Sequence, residues 1–166
     1  ALLVSNALAL NGTGNAYSIF IRDRTVATTD LLSIEALTTV TINAARITRL
    51  TGTFASIIST YAAETAGTIS GLGSDCSFTV SGSITVPEAN TLSGLISHGS
   101  RSLTATISNG DMATLAGISE SGHNLSITIT DTSVAAAALN TLDGKTDTTI
   151  NASNITTLTG AAADLN

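Results

Sequence analysis

Tryptophan is absent from the chain, and proline, cysteine, methionine and lysine occur once each. Aromatic residues make up only 3% of it: Tyr17, Phe20, Phe54, Tyr61 and Phe78. So few rings cannot fill a wide globule or provide the usual stacking platform for sugars, so the core must be laid down in narrow layers of Ala, Val, Ile and Leu. Charge is also scarce, at 11% of residues against about 25% in an ordinary domain. Five arginines and one lysine face twelve acids for a net charge of −6, and four of the arginines precede residue 50. No basic stripe crosses the chain, which argues against a nucleic-acid partner. A lone Cys76 excludes an internal disulfide framework. The opening ALLVSNALAL is too short and too broken to span a membrane. Its start without Met or a basic region is that expected of a processed or excised segment.

What the chain does have is Thr, Ser, Ala and Gly, and a repetition. NAARITRLTG at 43–52 returns as NASNITTLTG at 151–160, 108 positions on. A unit emerges in the second half: SLTATISNGDMATLAGI (102–118), NLSITITDTSVAAAALNTLDG (124–144) and DTTINASNITTLTG (147–160). Each opens on apolar residues at period two, namely Leu103, Ala105 and Ile107, then Leu125, Ile127 and Ile129, then Ile150. That alternation predicts half-buried strands. Asp111, Ser133 and Asn154 then stand as N-caps of short helices, and Gly117, Gly144 and Gly160 as left-handed stops. SFTVSGSITVPEANTLSGL (77–95) and TTVTINAARITRLTG (38–52) join the set, with Pro87 in a helical first turn. On this reading the two ten-residue stretches are one device, a cap, a short helix and a glycine stop.

Strand centres near positions 80, 107, 129 and 150 set a step of roughly 21–27 residues, within the range of solenoid repeats. A strand and a short helix at that period predict a right-handed β/α solenoid with one parallel sheet and the helices on the opposite wall. Residues 53–74 predict a longer helix, with Phe54, Ile57, Ile58 and Tyr61 on one side, and a Gly-rich return. The expected organisation is a start or cap region at 1–37, able to donate a strand, and a repeat solenoid at 38–166. GAAADLN at the end overlays GTFASII at 52–58, so the chain is expected to stop in mid-unit.

The stretches AAALNTLDGKT (136–146), ITTLTGAAADLN (155–166) and YAAETAGTISGLGS (61–74) resemble repeats of very large marine cyanobacterial cell-surface proteins. ALNTLDGKT is also similar to the AELNxLDGxT repeats of phage tail fibres. The resemblance covers roughly 40–166, departs from the pattern at 75–101, and implies an extracellular, elongated, structural or adhesive protein. It brings no catalytic residues with it.

Even strand positions predict an outer face of Thr39, Thr41, Ser77, Thr79, Thr104, Thr106, Ser126, Thr128 and Thr149. Hydroxyls there would stand ~6.6 Å apart along a strand and ~4.8 Å between strands. Such a row could pair with another surface or order water, or simply keep an exposed sheet soluble, since Thr is a good strand former. Asp131, Asp143 and Asp147 could attract calcium. No D-x-D-x-D-G loop or nonapeptide motif surrounds them, turn and cap roles account for them, and no cofactor is expected. His98 and His123 lie one step apart without further ligands and read as loop residues. Cys76 has no His partner at a recognisable motif, and SGLGSD and NGTGN lack the context of a phosphate loop.

The expectation is therefore a non-catalytic structural module of a repetitive surface protein (adhesin, filament or envelope component), located outside the cell. Its partners would be other copies of itself or neighbouring repeats of a longer chain, met end to end. A phage or virion fibre segment and an ice-binding solenoid using the Thr/Ser face stand beside that reading.

Overall fold

The computed structural model describes residues 3–73, 76–96 and 101–165. In chain order the elements are α1 (Val4–Leu8), β1 (Thr25–Ala27), α2 (Thr28–Glu35), β2 (Ile42–Asn43), β3 (Arg49–Gly52), α3 (Phe54–Thr65), β4 (Ile69–Ser70), β5 (Ser77–Ile84), α4 (Val86–Ser93), β6 (Leu103–Ile107), α5 (Met112–Leu115), β7 (Asn124–Ser126), β8 (Ser133–Ala135), α6 (Ala136–Asp143), β9 (Thr157–Thr159) and a 3₁₀ segment, η1 (Ala162–Leu165). This is a mixed α/β fold. Five strands form a parallel sheet in the order β1-β3-β5-β6-β7, and β2-β4 and β8-β9 form two small ones. The chain divides into two compact units, Ala1–Ser81 with Ile96–Arg101, and Gly82–Leu95 with Ser102–Asn166.

In the first unit the chain makes successive passes that pair in parallel. Asn15 bridges to Thr38 and Phe20 to Asn43. Thr25 pairs with Arg49, Arg49 with Ser77, and Ile42 with Ile69. Val26, Leu50 and Phe78 therefore share one register position on three strands, and all three are buried. These stacked side chains, with Ile42, Ile69, Leu31 and Ile57, form the narrow core that the shortage of aromatics predicts. The Tyr61 and Phe78 rings meet edge-on, with centroids 5.6 Å apart.

In the second unit β6 pairs with β7 and β8 with β9, and single bridges join His123 to Thr146 and Thr128 to Asn151. The alternating Leu103, Ala105, Ile107, Leu125, Ile127 and Ile129 are all buried, as their period predicts. Thr85 and Glu88 cap α4 reciprocally, with Pro87 in the first turn, so two otherwise unpaired amides are satisfied at once. Asp111 Oδ1 accepts the Thr114 N–H at 2.8 Å and so caps α5.

The variable step has a simple origin. Residues that pair across α5, four residues long, lie 20 apart (Thr104 and Asn124). Across the eight residues of α2 or α6 they lie 24 apart (Thr25 and Arg49; Ser133 and Thr157), and across the twelve of α3, 28 apart (Arg49 and Ser77). The spacing changes by four, close to one helical turn of about 3.6 residues. A whole added turn brings the chain out on the same side of the helix, so the next strand enters in register.

Several expectations change. Among the described residues two strands, not one, precede α3, α4 and α6 (β2 and β3, β4 and β5, β7 and β8), whereas a single strand precedes α2 and α5. The repeated ten-residue stretches are a turn followed by a strand, β3 or β9, with no helix in either. Asn43 Oδ1 accepts the Ala45 N–H and Asn151 Oδ1 the Ser153 N–H, both at 3.1 Å, and these Asx turns compete with helix initiation. Asn154 caps nothing; its Nδ2 donates to Ile129 O at 3.0 Å. Ser133 opens β8, and α6 begins after Ala135 without a side-chain cap. Gly144 is right-handed (φ −67°), Gly117 is not left-handed either, and Gly160 (φ +144°) follows a strand. Within the region 1–37, expected as a start or cap, Asn15, Phe20 and β1 pair in parallel with the pass at 38–51.

Insertion tests the spacing rule. Four alanines after Ser33 keep the buried Ile34 on the same face of α2. That insertion should lower the unfolding free energy by no more than about 2 kcal/mol, within the ordinary range of a single change. Two alanines turn Ile34 roughly 200° away, and should cost about 3 kcal/mol or more by urea denaturation, as the loss of a core side chain does.

Candidate functional site

The polar side chains group by what they bond. One set ties each pass to the pass before. Thr38 Oγ1 donates to Tyr17 O at 2.7 Å and accepts the Val40 N–H at 3.1 Å. Its counterpart 108 positions on, Thr146, donates to Leu125 O at 2.9 Å and accepts the Leu125 and Thr148 N–H groups at 2.9 and 3.2 Å. Thr48 Oγ1 reaches Arg24 O and Thr156 Oγ1 reaches Thr132 O, at 3.3 and 3.1 Å. Backbone bonds recur in the same way: Thr39 N–H to Asn15 O and Asp147 N–H to His123 O, both at 2.8 Å. The helix starts are tied too, with Val4 N–H donating to Asp23 Oδ2 and Met112 N–H to Asp131 Oδ2, each at 2.6 Å. The recurrence reaches well beyond the ten positions visible in the sequence, to Val4 at one end of the first copy and Met112 in the second.

The predicted outer row divides. Thr39, Thr41, Thr106, Ser126, Thr128 and Thr149 are exposed, and Thr79 and Thr104 are half-buried. Ser77 is a correction: it is only 6% exposed, because Cys76, Ser77 and Phe78 are buried consecutively and alternation fails there. In the first unit three members are already bonded within the chain. Thr41 Oγ1 donates to Gly67 O at 2.7 Å, Thr39 Oγ1 to Asn15 O at 3.4 Å, and Thr79 Oγ1 accepts from Arg49 Nη1 at 3.2 Å. In the second unit Thr106 pairs in register with Ser126, Thr104 with Asn124, and Thr128 bridges to Asn151. Thr39, Thr41 and Thr149 lie outside the strands. A regular hydroxyl lattice along the whole row is not what results.

Among the described residues no three His, Cys, Asp or Glu side chains come together to hold a metal ion. Of the three acids considered for calcium, Asp131 holds the Met112 N–H, and Asp143 is the last residue of α6. His98 lies outside the described residues. His123 is no loop residue: it is buried beside β6, and its Nδ1 accepts the Leu103 N–H at 3.4 Å. Cys76 is buried, and burial pushes its thiol up to about 11, partly offset by a hydrogen bond with the Leu50 backbone, because a thiolate is poorly solvated there. Burial also raises Tyr61 well above the ordinary tyrosine value, and its hydroxyl donates to Gly73 O at 2.9 Å. Among the described residues no helix is long and apolar enough to cross a membrane. No protein-family model, curated protein or solved structure matches the chain.

The bracing residues Thr38, Thr48, Thr146 and Thr156 were not candidates from the sequence. Their signal was present, since each Thr is identical 108 positions away, but Thr is too common here for one identity to stand out.

Two measurements follow from this chemistry. Thr146→Val leaves the Leu125 N–H without its acceptor and should cost about 1–3 kcal/mol, whereas the exposed Thr128→Val should stay within about 0.5 kcal/mol, both by chemical denaturation. At pH 8 a thiol pushed up to about 11 from 9.0 holds roughly 100-fold less thiolate. Cys76 should therefore react with a chromogenic disulfide about that much more slowly in the native chain than in guanidinium.

Proposed function

We propose that the chain is a non-catalytic structural module of a repetitive extracellular surface protein, whether adhesin, filament or envelope component. In this reading the passes form a right-handed β/α solenoid, as parallel strands joined by helical crossovers favour. The partners are other copies of the chain or neighbouring repeats of a longer one, met end to end. The observation that carries it is the set of inter-pass bonds recurring 108 positions apart, from Val4–Asp23 and Met112–Asp131 to Thr48–Arg24 and Thr156–Thr132. Hydroxyls and Asx side chains that an enzyme would direct at a substrate are directed here at the chain's own backbone. The resemblance of ALNTLDGKT and ITTLTGAAADLN to surface-protein repeats points the same way.

Cryo-electron tomography of source cells, with an antibody raised against the chain, tests the assignment. Label on the cell surface or on filaments leaving it is the expected result. Label confined to the cell interior would overturn it, and label on trimeric virion fibres would move the module to the phage-fibre reading.

A further inference from the structure

The correspondence between positions 108 apart shows what would cover the last pass. Leu31, Ala44, Ile47 and Leu50 are all buried in the first unit. Their counterparts Leu139, Ala152, Ile155 and Leu158 line an open cleft of ≈ 320 Å³, and Leu158 is 48% exposed where Leu50 is 0%. The difference is the following pass. In the first unit the Ile42 N–H donates to Thr68 O at 2.9 Å, the Ala44 N–H to Ser70 O at 2.7 Å, and the Ser77 N–H to Thr48 O at 3.0 Å. Phe78 lies at the register position of Leu50. The matching Ile150 N–H, Ala152 N–H and Thr156 C=O make no such bond among the described residues. The C-terminal edge is thus a strand layer with the side chains of a covered face and no strand over it among the described residues.

The N-terminal edge is its complement. Residues 124–126 pair with β6, and the Thr130 N–H donates to Gly110 O at 2.8 Å. Residues 16–18 and the Arg22 N–H hold the same places 108 positions earlier, with no strand on that side among the described residues. Leu3 and Leu8, 47% and 40% exposed, flank this edge at the two ends of α1. With Leu158 they are three of the four exposed large hydrophobic residues among those described. Exposed charge of opposite sign is present on the two passes, Arg22 and Arg24 on the first and Asp147 on the last.

We propose that these two edges bind each other. The C-terminal edge of one copy, residues 146–159, receives the N-terminal edge of a second copy, residues 15–27, as the next parallel layer. This rests on the end-to-end reading above and adds its polarity and its residues. The helical wall also has room. The segment η1 starts at Ala162, the position that matches Phe54 at the start of α3, and its four residues with the five of α1 fit within the twelve of α3. Unpaired strand edges template further pairing, and a head-to-tail contact between unlike surfaces extends into a filament unless its geometry closes a ring.

Sedimentation velocity over a wide concentration range provides the test, using the full chain, Leu158→Asp, the double variant Leu3→Asp/Leu8→Asp, and an equimolar mixture of the two variants. The native chain should grow beyond dimers with concentration, each variant should stay monomeric and folded by circular dichroism, and the mixture should form dimers and nothing larger. A native chain that is monomeric throughout overturns the end-to-end reading itself. If the native chain associates but either variant still self-associates, the head-to-tail pairing of these edges is overturned while end-to-end assembly stands.

Discussion

The interaction on which this structure depends is the parallel pairing of each short strand with the strand one pass earlier. Apart from β5, the strands hold two to five residues. An isolated pair of that length has too little burial to be stable in water, so each pass takes its order from its neighbours. Between the strands the backbone must still satisfy its polar groups, and side chains do this where the ladder stops. A hydroxyl both donates and accepts, so one threonine can close a gap from both sides, as Thr146 does with the Leu125 N–H and C=O. Lysine offers only donors and an ionised carboxylate only acceptors. The abundance of Thr and the scarcity of charge are two expressions of the same requirement.

Helix length then adjusts the width of a pass without disturbing that pairing. The crossover from β3 through α3 to β5 is the longest of those described, and Phe54 and Tyr61 on α3 with Phe78 on β5 are three of the five aromatic residues. The edge-on contact of Tyr61 with Phe78 lies in that crossover, and elsewhere aliphatic side chains span the narrow interior. Its return carries Gly67, Gly71 and Gly73, all with positive φ. A Cβ on Gly71 would stand 2.9–3.0 Å from Ala45, so glycine there is required by close approach as well as by conformation.

Much of this was legible in the sequence. Period-two alternation located the buried faces of β6 and β7, and Pro87 and Asp111 mark their helices by chemistry that needs no tertiary context. The errors arise where local chemistry is ambiguous. A small polar residue before β-branched residues suits a helix cap or an Asx turn equally, and at Asn43 and Asn151 the turn prevails because the residues after it complete a strand. The first pass is faint in the sequence because only eight of residues 1–37 are identical 108 positions on, against ten of the fifteen at 38–52. Among the identities it keeps are the buried Ile19, Ile21 and Val26 and the helix-binding Asp23, the positions the pairing constrains. The outer row was legible as exposure in six of its nine positions but not as a surface, because exposure does not reveal which hydroxyls the chain already uses.

In the proposed solenoid the passes have no intrinsic end, and the residues on the edge strands bear on what could join there. Proteins that keep strand edges apart place lysine or proline on them, or bulge or cover them. Here the only proline starts α4, and the only lysine, Lys145, bonds Ser119 O at 2.9 Å. The last strand reads Thr157, Leu158, Thr159, with no charge on it, and its leucine stands where an identical residue one interval earlier is wholly buried. A face meant only for water would not need the leucines and isoleucine of a covered one. The same side chains stand at the same register, buried in one copy and open in the other, and the proposed head-to-tail pairing would cover the open one as the following pass covers its counterpart.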